Sequence, residues 1–110
     1  MNYRVIPSER FKREARRLSK KYPSLRSELA ELDDILTNDP RHGTSLGFGL
    51  YKIRLAIRSK HKGKRGGGRV ITYFIDEDDA VYLVTIYDKS DTQTIATSRL
   101  REFVSEIFRK

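Results

Sequence analysis

The residues best suited to chemistry form one basic run. Tyr51-Lys52-Ile53-Arg54-Leu55 is followed by Arg58, Lys60, Lys62, Lys64, Arg65 and Arg69. The alternation is that of a strand, in which successive side chains point to opposite faces. Tyr51, Ile53, Leu55 and Ile57 then share one face, and Lys52, Arg54 and Arg58 the other, at intervals of about 7 Å. These cations repel one another, and no carboxylate lies near them along the strand. A solvated outer face usually mixes lysine with glutamate and threonine, so an unrelieved stripe favours phosphate binding over solubility alone. Across the chain, 23 Lys+Arg oppose 15 Asp+Glu, a formal net charge of +8. Such an excess attracts nucleic acid or an anionic membrane surface.

Other constellations are weaker. The loop Gly63-Lys64-Arg65-Gly66-Gly67-Gly68 looks like a phosphate cradle. It lacks the Lys-Ser/Thr pair and the following helix of a Walker loop, because Arg69 opens a strand. It reads either as a hairpin tip or as a mobile basic clamp for nucleic acid. His42 and His61 fall in separate loops and read as plain surface histidines. Asp76, Glu77, Asp78 and Asp79 read as a turn between strands rather than a metal site. With no cysteine, the 110-residue chain has no disulfide, thiolate site or thiol nucleophile. Nothing in the sequence argues for a metal or a cofactor. Tyr51, Tyr73, Tyr82 and Tyr87 fall in strands; one on the basic face could stack on a splayed base or relay a proton, the alternative being core or edge packing.

The elements that must position these residues follow from periodicity. Tyr3 to Ile6 is a short β-prone run ended by Pro7, and Ser8 is placed to cap a helix. Phe11, Ala15, Leu18 and Tyr22 form its apolar stripe, with Lys12, Arg13, Arg16, Arg17, Lys20 and Lys21 around it. Pro23 breaks this helix and Ser24 caps a second, striped by Leu25, Leu29, Leu32 and Leu36 and flanked by Glu28, Glu31, Asp33 and Asp34. Asn38-Asp39-Pro40 stops it. Arg41 to Leu50, with three glycines, reads as loop. Strands follow at 51–58, 69–76 and 81–87, expected as a meander. A last helix starts at Thr97 or Ser98 and buries Leu100, Phe103, Val104 and Ile107. The expectation is one α+β domain over 1–110, with an N-terminal strand and an antiparallel helix pair packed on a mainly antiparallel four-stranded sheet, and a C-terminal helix. No apolar run approaches the roughly 18 residues that span a bilayer. Residues 1–8 lack the apolar core of a signal peptide, and cytoplasm is the expected location.

Tyr51 to Leu55, the basic glycine loop, Gly68-Arg69-Val70-Ile71-Thr72-Tyr73 and 81–90 together resemble the RelE/HigB branch of the RelE/ParE superfamily, the toxins of type II toxin–antitoxin systems. The resemblance runs along nearly the whole chain and implies a RelE-like fold. It also implies a ribosome-dependent mRNA endonuclease (an mRNA interferase), silenced by a small antitoxin, with ribosome and mRNA as further partners and no membrane or cofactor. In such enzymes a ribose 2′-OH attacks the adjacent phosphodiester, leaving a 2′,3′-cyclic phosphate and a 5′-OH. Lys52 then matches a basic position serving as base or electrostatic stabiliser. Arg54 stands where the family commonly has a second lysine, and Arg69 where an arginine holds the scissile phosphate. Lys89 falls near a later arginine that stabilises the leaving side. Ile95 stands where the family has a late tyrosine, so that Tyr73 or Tyr87 substitutes or the role is empty. Tyr87 joins Lys52, Arg54, Arg69 and Lys89 as the expected catalytic set. Arg58, Lys60, Lys62, Lys64 and Arg65, with Lys12, Arg16 and Lys20 of the first helix, are expected to bind RNA and the ribosome. ParE-type toxins, which inhibit DNA gyrase without catalysis, share much of this pattern. An inactive RNA-binding relic is a further alternative.

Overall fold

The structure, a computed structural model, describes residues 2–61, 63, 66–92 and 94–109. Lys62, Lys64 and Arg65 of the basic loop lie outside the described residues. Among the described residues, three helices and five strands are arranged as β1 (Arg4–Pro7), α1 (Glu9–Lys21), α2 (Leu25–Asn38), β2 (Thr44–Gly47), β3 (Leu50–Leu55), β4 (Gly68–Tyr73), β5 (Ala80–Asp88) and α3 (Thr97–Phe108), with a 3₁₀ turn at Arg58–Lys60 after β3.

The sheet order is β1-β5-β4-β3-β2. The expected meander is β3-β4-β5, antiparallel throughout. β1 pairs in parallel with β5, with Val5 opposite Val81. Five strands form rather than four, because Thr44–Gly47, expected as loop, pairs antiparallel with β3. The strand expected over 51–58 ends at Leu55, and the backbone then turns so that Arg58 and Lys60 leave the sheet.

The sheet carries helices on both faces. Phe11 and Leu18 of α1 and Leu25, Leu32 and Leu36 of α2 pack with Ile53, Ile57, Val70, Val81 and Ile86. On the opposite face, Leu100 and Phe103 of α3 pack with Leu50, Ile71, Val84 and Tyr87. The strict alternation of β3 is therefore a partition between two cores, which sends Lys52 and Arg54 to the α3 side. Ser8 caps α1 as its sequence position predicts. Its Oγ accepts from Phe11 N–H at 3.0 Å and donates to the Val84 carbonyl at 2.9 Å, tying the helix start to β5. α3 is latched at its far end by Arg10, whose guanidinium is bidentate to Glu106 and stacks 3.7 Å from the Phe103 ring centroid. The acidic run 76–79 is the hairpin turn between β4 and β5, with Asp76 paired to Arg41. No helix among the described residues is long and apolar enough to cross a membrane.

Candidate functional site

Strand register assembles the site. Arg54 on β3 stands directly opposite Arg69 on β4, and Arg69 directly opposite Tyr87 on β5. Paired residues of an antiparallel ladder share a face and lie about 5 Å apart, so these three form one continuous row across three strands. Lys52 stands one step along, between Thr44 on β2 and Ile71 on β4. Lys89 follows β5 directly, and its N–H donates to the Gly67 carbonyl at 3.0 Å, which sets it beside the start of β4. The five residues expected to act together are thus brought by the register to the end of the sheet where β3 leaves and β4 begins, on the face that also carries α3.

Their environments differ. Arg54 is exposed and Lys52 half-buried, whereas Arg69 is 6% and Tyr87 7% exposed. Arg69 Nη1 donates to the Gly68 carbonyl at 3.0 Å, which fixes its guanidinium near the sheet surface. Burial pushes the Tyr87 phenol above its ordinary value, and the positive charge of Arg69 only partly offsets this. Tyr87 is therefore a neutral hydroxyl beside a fixed cation throughout the physiological range. Tyr73, the other tyrosine considered for this role, lies at the opposite end of β4. It meets Tyr82 at 6.4 Å and Phe108 at 6.1 Å between ring centroids, as part of the packing under α3.

An exposed arginine and a half-buried lysine thus lie beside a buried arginine and phenol, on an α+β frame whose strand order, flanking helices and length can be compared directly with solved structures. A free-state mutant of the Escherichia coli toxin RelE superposes with a TM-score of 0.63 over 98% of this chain and 100% of that one, at 22% identity. The chain has the RelE fold. The intact E. coli RelBE toxin–antitoxin complex gives 0.58 at 24% identity, over 78% of this chain and 95% of that chain. A RelBE complex of Mycobacterium tuberculosis gives 0.56 at 16% identity, over 83% and 95%. No family model matches the sequence.

On this RelE fold the other expected binding residues among those described, Arg58, Lys60, Lys12, Arg16 and Lys20, do not extend the row. Arg58 lies on the other side of the sheet: its guanidinium stands 3.4 Å from Glu28 and 3.5 Å from Glu31, and donates to Ser27 Oγ at 2.9 Å. Glu28 itself is 3% exposed and also accepts the Arg58 backbone N–H at 2.9 Å. The expectation that Lys52, Arg54 and Arg58 share a face is corrected accordingly, because the strand ends before Arg58.

Lys60 is likewise a structural cation rather than an open one. Its side chain is 6% exposed and pairs with the buried Asp88 carboxylate, while its ammonium also donates to Ser90 Oγ at 2.8 Å. Tyr22 at the end of α1 donates to the same carboxylate at 2.7 Å, and the Ser90 N–H at 2.9 Å. Burial alone would raise the Asp88 carboxyl; the bonds from Lys60, Tyr22 and Ser90 outweigh it and hold the group at about 2. The bond to Asp88 in turn raises the Tyr22 phenol. This knot joins α1, the 3₁₀ turn and the end of β5 directly beneath the row. Lys12, Arg16 and Lys20 are exposed on α1, against the sheet face opposite Arg54, and Lys12 pairs with Glu9 at 3.0 Å. They form a separate basic surface.

Sequence reasoning missed the Tyr22–Asp88–Lys60 knot. The available signal was a carboxylate closing an apolar strand, Val81 to Asp88, where a charge survives burial only with partners. Phe48 was missed as well. It is 64% exposed and holds a left-handed φ of 55° between Gly47 and Gly49, in a segment whose glycines pointed only to loop.

Proposed function

We propose that this chain is the toxin of a type II toxin–antitoxin pair and acts as a ribosome-dependent, metal-independent mRNA endonuclease. The observation that carries the reading is the cross-strand row Arg54–Arg69–Tyr87 with Lys52 one step along it. Support also comes from the RelE fold and from the +8 charge.

Cleavage by an internal 2′-OH needs in-line alignment and neutralisation of charge developing on the phosphorane. The bond between O2′ and phosphorus forms while the bond between phosphorus and O5′ breaks. Arg69, fixed by its neighbours, holds the non-bridging oxygens. Arg54 stabilises the phosphorane as a guanidinium, a poor proton acceptor. Lys52 is the group placed to take the 2′-OH proton. Tyr87 donates a hydrogen bond to a phosphate oxygen, and Lys89 stabilises the departing O5′, which takes a proton from solvent and leaves as the 5′-OH, while the proton taken by Lys52 returns to solvent. A small protein that masks this face is the antitoxin; the E. coli and M. tuberculosis structures of this fold are toxin–antitoxin complexes.

Primer extension on mRNA from cells expressing the chain, compared with a Lys52→Ala, Arg54→Ala variant, tests the reading. Both residues are solvent-accessible, so the variant keeps its fold. Cuts inside translated frames that disappear in the variant are expected. Growth arrest with intact mRNA would sink the ribonuclease reading and direct attention to gyrase.

A further inference from the structure

The β2–β3 turn carries a feature that the cleavage chemistry does not use. Gly47, Phe48 and Gly49 adopt φ of 82°, 55° and 79°, three successive left-handed residues. Glycine tolerates this; a bulky side chain rarely does. The turn nevertheless presents a phenylalanine at 64% exposure. One face of its ring is covered by the Arg101 guanidinium, 4.0 Å from the centroid, and the ring stands at the rim of a groove of about 450 Å³ with Leu50, Tyr73, Ser98 and Val104. Arg101 has no ion pair among the described residues, because the adjacent Glu102 is taken by Arg99 at 3.1 Å.

We propose that Phe48 and Arg101 form a stacking platform for an unpaired base of the bound RNA, a few nucleotides from the scissile phosphate. The proposal rests on the ribonuclease reading above. Charge selects the occupant: along β3, Leu50, Lys52 and Arg54 share the α3 face, and neither Lys52 nor Arg54 has an ion pair among the described residues. A polyanion laid along that line meets cations at Arg54, Lys52 and Arg101 in turn and reaches a flat aromatic surface at the end. Single-stranded nucleic acid is the ligand that is both anionic along its backbone and planar in its side groups. A guanidinium already seated on the ring holds the platform flat and leaves the outer ring face for the base.

The test uses a 2′-O-methyl RNA hexamer, which lacks the attacking hydroxyl, with one 2-aminopurine as fluorescent probe. Its binding to the purified chain is compared with Phe48→Leu, Phe48→Trp and the Lys52→Ala, Arg54→Ala variant, each checked by circular dichroism. The platform predicts that Phe48→Leu loses about tenfold or more in affinity, together with the quenching of 2-aminopurine, while Phe48→Trp keeps both. Wild-type affinity in Phe48→Leu, with loss only in the Lys52/Arg54 variant, would overturn the platform and leave the ribonuclease reading standing; the exposed ring would then belong to a protein contact. Equal loss in the leucine and tryptophan variants would also overturn it, as an effect of turn conformation. Failure of the wild-type chain to bind the hexamer at all would overturn the platform, while cuts in the primer-extension assay decide the ribonuclease reading separately.

Discussion

Replacing Lys60 with methionine keeps the apolar stem and removes the ammonium that faces the buried Asp88 carboxylate. The size of the effect follows from that carboxyl. Its ordinary value of 3.8 falls to about 2 in the folded chain, although burial opposes the fall. The difference, about 1.8, corresponds at 1.36 kcal/mol each to about 2 kcal/mol of stability at neutral pH. Leaving a buried carboxylate short of its cation costs more than this, roughly 3–5 kcal/mol. Tyr22 and the Ser90 N–H remain bonded to Asp88, which places the expected loss at the lower end, about 3 kcal/mol. Urea unfolding at pH 7, followed by far-ultraviolet circular dichroism, should show the midpoint falling by roughly 1–3 M. The pH dependence adds a second signature. Because the folded pKa of Asp88 is depressed, the unfolded chain binds the extra proton between about pH 4 and pH 2. Wild-type stability is therefore fully present above pH 4 and declines as pH falls through that window. In Lys60→Met the decline from this group shrinks, since the part supplied by the ammonium is gone and only the bonds from Tyr22 and Ser90 remain. A Lys60→Met midpoint within about 0.3 M of wild type would refute the buried pair. If RNA binding fell in the same variant, Lys60 would be the open, ligand-facing cation that its place in the basic run first suggests.

Further outcomes follow from other contacts. Gly67→Ala should lower stability by about 2 kcal/mol, measured by thermal unfolding, because a Cβ there would run into the Leu55 carbonyl, a backbone atom that cannot swing aside. Arg54→Glu should abolish mRNA cleavage in the primer-extension assay while changing stability by no more than about 0.5 kcal/mol, since the side chain is exposed. Tyr87→Phe should reduce single-turnover cleavage without moving the alkaline limb of its pH profile below pH 9, because burial keeps the phenol protonated there; a limb that shifts with this substitution would identify Tyr87 as the titrating group. Leu36→Ala, at a fully buried position of α2, should lose about 2–5 kcal/mol in urea unfolding.

The sequence made the helices and the meander legible because each rests on a local period. Phe11 and Leu18, then Leu25, Leu32 and Leu36, are buried as their spacing predicts, and Leu100 and Phe103 likewise. The alternation of β3 also predicted that Lys52 and Arg54 share a face, and the register then joined Arg54 to Arg69 and Tyr87. What stayed hidden is tertiary. Thr44–Gly47 is a strand only because β3 offers a partner edge, and its glycines mask that tendency. The carboxylates that engage Arg58 come from α2, and the one that engages Lys60 from the end of β5. A count of charges along the strand could not register them. Both cations of the basic run thus meet carboxylates of the fold, Lys60 buried against Asp88 and Arg58 still exposed beside Glu28 and Glu31.

The pairing of β1 with β5 bears on how the molecule is made. Val5 finds its strand partner at Val81, and Ser8 its backbone acceptors at Leu83 and Val84. During synthesis the leucine stripes of α1 and α2 emerge first, with no sheet to receive them. At about 5–20 residues per second, the 52 residues that follow Leu36 up to Asp88 take roughly 3–10 s to appear. For that interval the nascent chain carries its apolar helices unprotected, and loop closure over most of the polypeptide precedes docking of the first strand. The newborn chain is thus most vulnerable to proteases and most in need of a chaperone before the row that acts on phosphate has been brought together.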